Sequence, residues 1–271
     1  MFGFEPFQPL FTPQGMRSSK LRMRGSKPSV GLSRYVHSFV QVSVDKPTPY
    51  PVIPDGIASL FISKHATLLV AAMTKVTEFT LPEPGDYFGV RFVPGAIHRI
   101  LGLDLSETRD QIIDTSRFKG SVLAGLHAKL YPASYEKKVA VTESLLGECW
   151  AEAEKKSAKV LDMALRFIYS AQGRLSIEDG LADKLSISPR QLNRIFSTHI
   201  GMSAKRFAQV IRMQNVCAYL EGAPSGSLMA SEIYGYFDQA HLLKDFKKHL
   251  SAYPEAFFKR FQSDFYNTDK S

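Results

Sequence analysis

Hydrophobic positions change their period along the chain, and the changes divide it. From Arg34 to Val93, short β-branched and aromatic runs alternate with turn residues: Tyr35–Val44, Ile57–Ser63, Leu68–Met73 and Tyr87–Val93. Lys46-Pro47-Thr48-Pro49, Pro54-Asp55-Gly56, Pro82-Glu83-Pro84-Gly85-Asp86 and Pro94-Gly95 punctuate them. Strands bounded by such turns predict a compact, mostly antiparallel sheet or barrel. After Pro94 the period lengthens toward 3.6: Ile97, Ile100 and Leu101 share one helical face, and Thr108–Phe118, Val122–Leu130 and Val139–Ala153 are expected to be helical too. Apolar faces there serve either the domain's own core or a dimer contact.

Ala151–Lys159 is charged and poor in apolar residues, which marks a boundary. The expected order is an arm over 1–27, a β-rich sensing or dimerisation domain with helices over 28–150, a linker over 151–158, an all-α domain over 159–262 and a tail over 263–271. The fold class is therefore α+β, with an all-α second domain.

Within the second domain, Ser188–Phe207 recurs in degenerate form 50 positions later as Asp238–Phe257. Leu192 matches Leu242, Phe196 matches Phe246 and Ile200 matches Leu250. Each copy opens on a residue suited to capping a helix, Ser188 followed by Pro189 in the first and Asp238 in the second. In the first, Leu192, Ile195, Phe196 and His199 form the expected buried stripe, which leaves Arg190, Gln191, Asn193, Arg194 and Ser197 outward. Arginine can grip guanine O6 and N7, and asparagine can grip adenine N6 and N7, so this face has the chemistry of major-groove readout. Upstream, Leu181-Ala182 and Leu185 make a short helix, and Ser186-Ile187 turns into the cap, which completes a helix-turn-helix.

The second copy offers Gln239, His241, Lys244, Asp245, Lys247 and Lys248 outward, with Gly235 at its turn. Lys244 stands where Arg194 stands in the first, and an ammonium is a point charge where a guanidinium is a fork. The second unit is thus expected to lean on phosphates and the first on bases. Ala208–Glu221 predicts a continuous helix that would fix the spacing of the two readers. One basic amphipathic helix alone could be a merely solvated face; the duplicated cap, stripe and charge favour duplex DNA.

Composition agrees. The net charge is +8 with pI ≈ 9.4, and residues 157–262 carry 14 lysines and arginines against 9 acidic residues. Five more basic residues, Arg17, Lys20, Arg22, Arg24 and Lys27, lie in the arm, which is expected to be partly ordered rather than a transit peptide. Cys149 and Cys217 have no CxxC or histidine partner nearby, which predicts buried thiols in a reducing compartment and no metal. No apolar run approaches a membrane span. His37, His65 and His98 are scattered, and there is neither a Gly-x-Ser-x-Gly elbow nor a phosphate loop, so catalysis and cofactors are not expected. Arg91, held near the Pro94-Gly95 turn, is a candidate to receive an effector's carboxylate or phosphate, or else to form a structural ion pair; His98 is a second effector candidate.

The stretches LADKLSISPRQLNRIFSTHIGMS, RFAQVIRMQNVCAYL and GYFDQAHLLKDFKKHLSAYPEAF resemble the AraC/XylS-type transcription regulators over about residues 157–262. That resemblance implies two helix-turn-helix motifs joined by a long helix, with Arg212 at the family's arginine position. It places Arg190, Asn193 and Arg194 on the first motif's base-facing side and Gln239, His241 and Lys244 on the second's DNA-facing side. It also implies a cytoplasmic, bacterial-type regulator whose partners are double-stranded DNA, a small-molecule effector, RNA polymerase if it activates, and a second copy if it dimerises. Pro28, Leu32 and Tyr35, Pro54-Asp55-Gly56 and Val90–Ala96 look like a domain found upstream of such modules in some members.

The chain departs from the family pattern in places. Glu178 stands where an apolar residue is usual, with Gly180 like an insertion. Ala230-Ser231 replaces an Ile-Ala pair as though Met229-Ala230 had slipped by one. Ser251 replaces a glycine, Tyr253 a serine or threonine, and Leu243 an outward polar residue. These departures keep a rival reading open, a ligand or partner sensor with degenerate, largely nonspecific DNA binding.

Overall fold

The computed structural model describes residues 4–18, 21–118, 123, 126–131, 133–155, 159–175, 180–221, 223 and 225–262. A 3-10 turn at Pro9–Phe11 and α1 (Pro13–Ser18) precede β1 (Arg22–Ser26), β2 (Val36–Val44), β3 (Thr48–Val52), β4 (Ser59–Ile62), β5 (Thr67–Val70), β6 (Thr77–Leu81) and β7 (Gly85–Phe92). Then come α2 (Ala96–Leu101), β8 (Ile112–Asp114), α3 (Leu126–Leu130) and α4 (Tyr135–Lys155). All pairings are antiparallel, in a six-stranded sheet of order β1-β2-β7-β4-β5-β8 and a two-stranded ribbon of β3 and β6.

The four strands expected from the pattern are present within a few residues. β3 escapes a sequence reading because Pro49 and Pro51 look like turn residues, yet a two-stranded ribbon leaves one edge of β3 without a ladder partner, where proline is tolerated. The helix expected over Thr108–Phe118 is a misreading of period. Asp110 has φ 58°, and its carboxylate takes the N–H and hydroxyl of Thr74. Ile112 and Ile113 then pair with Val70 and Leu69. Within the arm, β1 joins the sheet, and its charges are matched locally: Arg22 pairs with Asp45, Arg24 with Glu136 while lying over the Tyr135 ring, and Lys27 with Glu5.

The all-α domain follows with α5 (Lys159–Ser170), α6 (Ala182–Lys184), α7 (Pro189–Ile200), α8 (Ala204–Leu220), α9 (Ser227–Ile233), α10 (Gln239–Leu250) and α11 (Pro254–Gln262). Of the expected linker, residues 151–155 continue α4, and 156–158 lie outside the described residues, as do the tail and Glu178.

Three hydrophobic cores hold the molecule, and two of them ignore the domain boundary. One lies between the sheet and α2–α4, with Phe39, Phe88, Phe92, Ile97 and Leu146. A second packs α5–α8 through Leu161, Leu165, Leu192, Phe196 and Phe207 and takes in Ala72 from the β-rich domain. The third runs from the other side of the sheet (Val42, Phe61, Tyr87), the ribbon (Leu81) and the arm (Phe7, Leu10) into α8–α11 (Val216, Leu242, Phe246, Phe257, Phe258, Phe261). Two glycines permit the close approach. Gly56 has φ +76°, and a Cβ there would lie 2.7 Å from the Phe207 ring. Gly201 has φ +91°, and a Cβ there would lie 2.9 Å from the Leu105 carbonyl oxygen.

Candidate nucleic-acid interface

The first unit is built as its sequence dictates at the ends. Ser188 Oγ accepts from the Gln191 N–H at 3.2 Å, Pro189 occupies the first helical position, and Gly201 closes α7 in the left-handed conformation. Leu192, Phe196 and Ile200 are buried, Ile195 is half-buried, and Arg190, Gln191 and Arg194 are exposed. Asn193 does something the helical wheel hides: its side-chain oxygen accepts from the Ala204 N–H at 3.2 Å and so caps α8. His199 leaves the core stripe and meets His98 of α2, ring centroids 4.1 Å apart. Burial first, then His98 and Arg99, lowers the His199 pKa to about 4 against the opposing pull of Asp162 and Asp104.

The second unit repeats the plan with substitutions. Asp238 Oδ1 accepts from the His241 N–H at 2.6 Å, and Leu242, Phe246 and Leu250 are buried. In α9, Ala230 and Ser231 are both buried while Met229 is 53% exposed, so the register has not slipped; Ser231 takes the small-residue position and donates to the Leu228 carbonyl. Ser251 closes α10 with φ 60°, a conformation that glycine adopts freely and serine does not. Leu243 is half-buried and packs against the third core instead of pointing outward.

Asp245 was expected outward, and the structure buries it. It accepts from the Tyr236 hydroxyl at 3.1 Å and pairs with Arg212, which lies over the Tyr236 ring. His249 Nε2 stands 3.6 Å away. Burial works to raise its pKa, but His249, Arg212 and the Tyr236 hydroxyl outweigh burial and hold the carboxyl at about 2. The reason is tertiary: half-buried Arg212 of α8 needs a carboxylate, and α10 supplies it from its inner face.

The surviving outward groups are His241, Lys244, Lys247 and Lys248, with Gln239 tied by its amide to Ser227 Oγ at 2.6 Å and Lys247 over the Tyr253 ring. Just before the Asp238 cap, Phe237 is 93% exposed, a residue that the charge pattern alone does not single out.

Both α7 and α10 are gripped at their far ends by the β-rich domain. The Leu105 N–H donates to the Thr198 carbonyl at 3.0 Å and the Val76 N–H to the His249 carbonyl at 2.7 Å, while His249 Nδ1 lies 2.6 Å from the Thr74 carbonyl. Arg260 of α11 forms a two-pronged pair with Glu78. At the middle of α8, buried Gln214 accepts from the Phe7 N–H and donates to the Pro54 carbonyl, each at 2.6 Å. The continuous α8 expected from the sequence is therefore tied through one side chain to both the arm and the β-rich domain.

The two effector candidates are not brought together. Arg91 is buried against Asp55 at 2.6 Å, and the same Asp55 accepts from Gln8 at 2.8 Å; Arg91 also lies over the Phe11 ring. The cavity beside them is only about 60 Å³. His98 sits on α2 with its Nδ1 2.8 Å from the Leu103 carbonyl. A larger cleft, about 350 Å³, opens where the arm, the β-rich domain and α5 meet, lined in part by Phe4, Lys27, His37, Arg99, Arg166 and Tyr169. Cys217 is buried, which pushes its thiol pKa up, and no cluster of three or more metal-ligating side chains occurs among the described residues. No helix among them is long and apolar enough to cross a membrane.

Residues 181–260 match the model of a helix-turn-helix domain family, and residues 25–114 match a domain of unknown function (DUF6597). An uncharacterized HTH-type transcriptional regulator of Haemophilus influenzae is 27% identical over 176 residues, which cover 64% of this chain and 56% of that protein; the chain thus matches little more than half the length of that relative. Among solved structures, ToxT from Vibrio cholerae O395 gives a TM-score of 0.40 at 11% identity, over 90% of this chain and 98% of that one. A second crystal form of ToxT gives 0.41 at 10% identity over the same shares.

Proposed function

We propose that this chain, whose residues 181–260 match a helix-turn-helix domain family, is a sequence-specific DNA-binding transcription regulator of the AraC type. Regulators of this kind are not enzymes. In this reading α7 and α10 enter successive major grooves on one face of the duplex, about 34 Å apart. The observation that carries the reading is that each of the two helices keeps one face in solvent while its last turn is docked. Arg190, Gln191 and Arg194 in one, and His241, Lys244, Lys247 and Lys248 in the other, stand in solvent, while the last turns are held by the β-rich domain. Arg190 and Arg194 supply base recognition, Lys247 and Lys248 phosphate contacts, and Asn193 acts mainly by fixing α8.

The docked ends also support control through the N-terminal domain. A ligand that shifts Leu105 relative to the sheet acts on α7, and one that shifts Val76 acts on α10. We assign the effector to the cleft between arm, sheet and α5 rather than to Arg91, whose guanidinium is already matched by Asp55. Its size is that of a small-molecule pocket, and its walls join an apolar side, including stacked Phe4 and Tyr169, to the Lys27–Glu5 and Arg99–Asp162 pairs and to Arg166. A small organic molecule with an apolar body and a polar end fits that combination.

The rival reading, a sensor with degenerate DNA binding, draws on the second motif, where Gln239 is tied to Ser227 and Ser251 is strained. Binding-site selection from random duplex DNA separates the two. A selected site spanning two successive grooves is expected; association that is salt-sensitive and indifferent to sequence would sink the regulator reading.

A further inference from the structure

The residue just before a helix cap is often apolar and folds back on the fourth helical residue, closing the entry of the chain. In the first motif Ile187 obeys: it is half-buried and packs against the core that contains Leu192. Its counterpart 50 positions on is Phe237, with Leu242 available in the matching place, yet Phe237 is 93% exposed. The inward place has gone to Tyr236, buried with its hydroxyl on Asp245 and its face under Arg212. Asp238, anchored by the His241 N–H, fixes the backbone on the other side. The backbone that carries the outward phenyl is therefore fixed by its neighbours on both sides.

The helix that it precedes carries His241 and Lys244 in its first two turns and Lys247 and Lys248 in its last, all exposed, and its first turn faces the groove in the proposed complex. A cationic helix selects a polyanion, and the apolar feature that the major groove of a duplex offers is the thymine 5-methyl group. Given the regulator reading, on which this rests, the geometry points to Phe237 as a specificity-determining residue that contacts a thymine methyl at the start of the second recognition helix. The exposed Leu228, Met229 and Ile233 of α9 make a protein partner the competing occupant.

The test uses the full chain and the duplex it selects from random DNA. Each thymine of the site is replaced in turn by deoxyuridine, which removes only the methyl, and affinity is followed by fluorescence anisotropy for wild type, Phe237→Ala and Phe237→Leu. Wild type should lose about fourfold at one thymine under the second motif, the worth of one buried methyl. Phe237→Ala should bind the unmodified site that much more weakly and be indifferent to deoxyuridine there, Phe237→Leu should keep part of the discrimination, and the salt dependence should be unchanged. If Phe237→Ala keeps the wild-type deoxyuridine profile, or weakens on all DNA alike, the inference fails while the regulator reading stands. If wild type selects no site, the regulator reading fails and takes the inference with it.

Discussion

The carbonyl of Thr198, in the last turn of the first recognition helix, accepts its hydrogen bond from Leu105 of the β-rich domain. A carbonyl in the last turn of α7 is thus satisfied from outside the helical domain, and its neighbour His199 sits against His98, Arg99, Asp104 and Asp162.

Docking at this contact should weaken in acid. His199 is neutral in the folded protein down to about pH 4, whereas an unfolded histidine takes its proton near 6.5. Between those values the unfolded state binds more protons, so stability falls as pH falls from 6.5 toward 4 and is insensitive to this group above that window. Burial lowers the His37 pKa to about 4 as well and acts in the same direction. The melting temperature of His199→Gln should therefore drop less over this range than that of wild type; equal slopes would remove His199 from the contact.

Arg194→Ala should cost about 1–3 kcal/mol in affinity and relax preference at one base pair. By contrast Lys248→Ala should weaken binding to all sequences alike and reduce the salt slope by about one. Titrations at several salt concentrations on the selected site and on a scrambled duplex distinguish these patterns, and a uniform loss in Arg194→Ala would make Arg194 a phosphate contact.

Gln214→Leu should destabilise the protein by about 1–3 kcal/mol for each buried group it leaves unpaired, the Phe7 N–H and the Pro54 carbonyl. Denaturant unfolding measures the loss. Limited proteolysis should show the arm cut first in the variant, because Phe7 loses its tie to α8.

Replacing Ser251 by glycine should stabilise the protein by about 0.5–1 kcal/mol, since the left-handed turn at φ 60° then carries no side-chain strain. No change, or a loss, in chemical denaturation would mean that the serine side chain offsets its own backbone.

Features that depend on a few adjacent residues were legible before any coordinates. Ser188 and Asp238 cap because a short oxygen next to an N–H needs no distant partner. The stripes Leu192–Phe196 and Leu242–Phe246 follow from helical period alone. Misread residues share a different property, a partner far along the chain. Asp245 turns inward for Arg212, 33 positions away, and Ile112 and Ile113 form a strand because β5 is there to receive them. His98 lies against His199 of α7, a contact that no spacing in the sequence announces.

By itself the sequence determined the repeat, the caps, the basic faces and the succession of strands and helices, because periodicity and hydrogen-bond chemistry act over a few residues. Tertiary structure decided which charges stay outward, that Tyr236 rather than Phe237 enters the core, and that the two domains share cores and helix-end hydrogen bonds. Those outcomes depend on which surfaces meet, and burying one side chain in a shared core forces its neighbour into solvent.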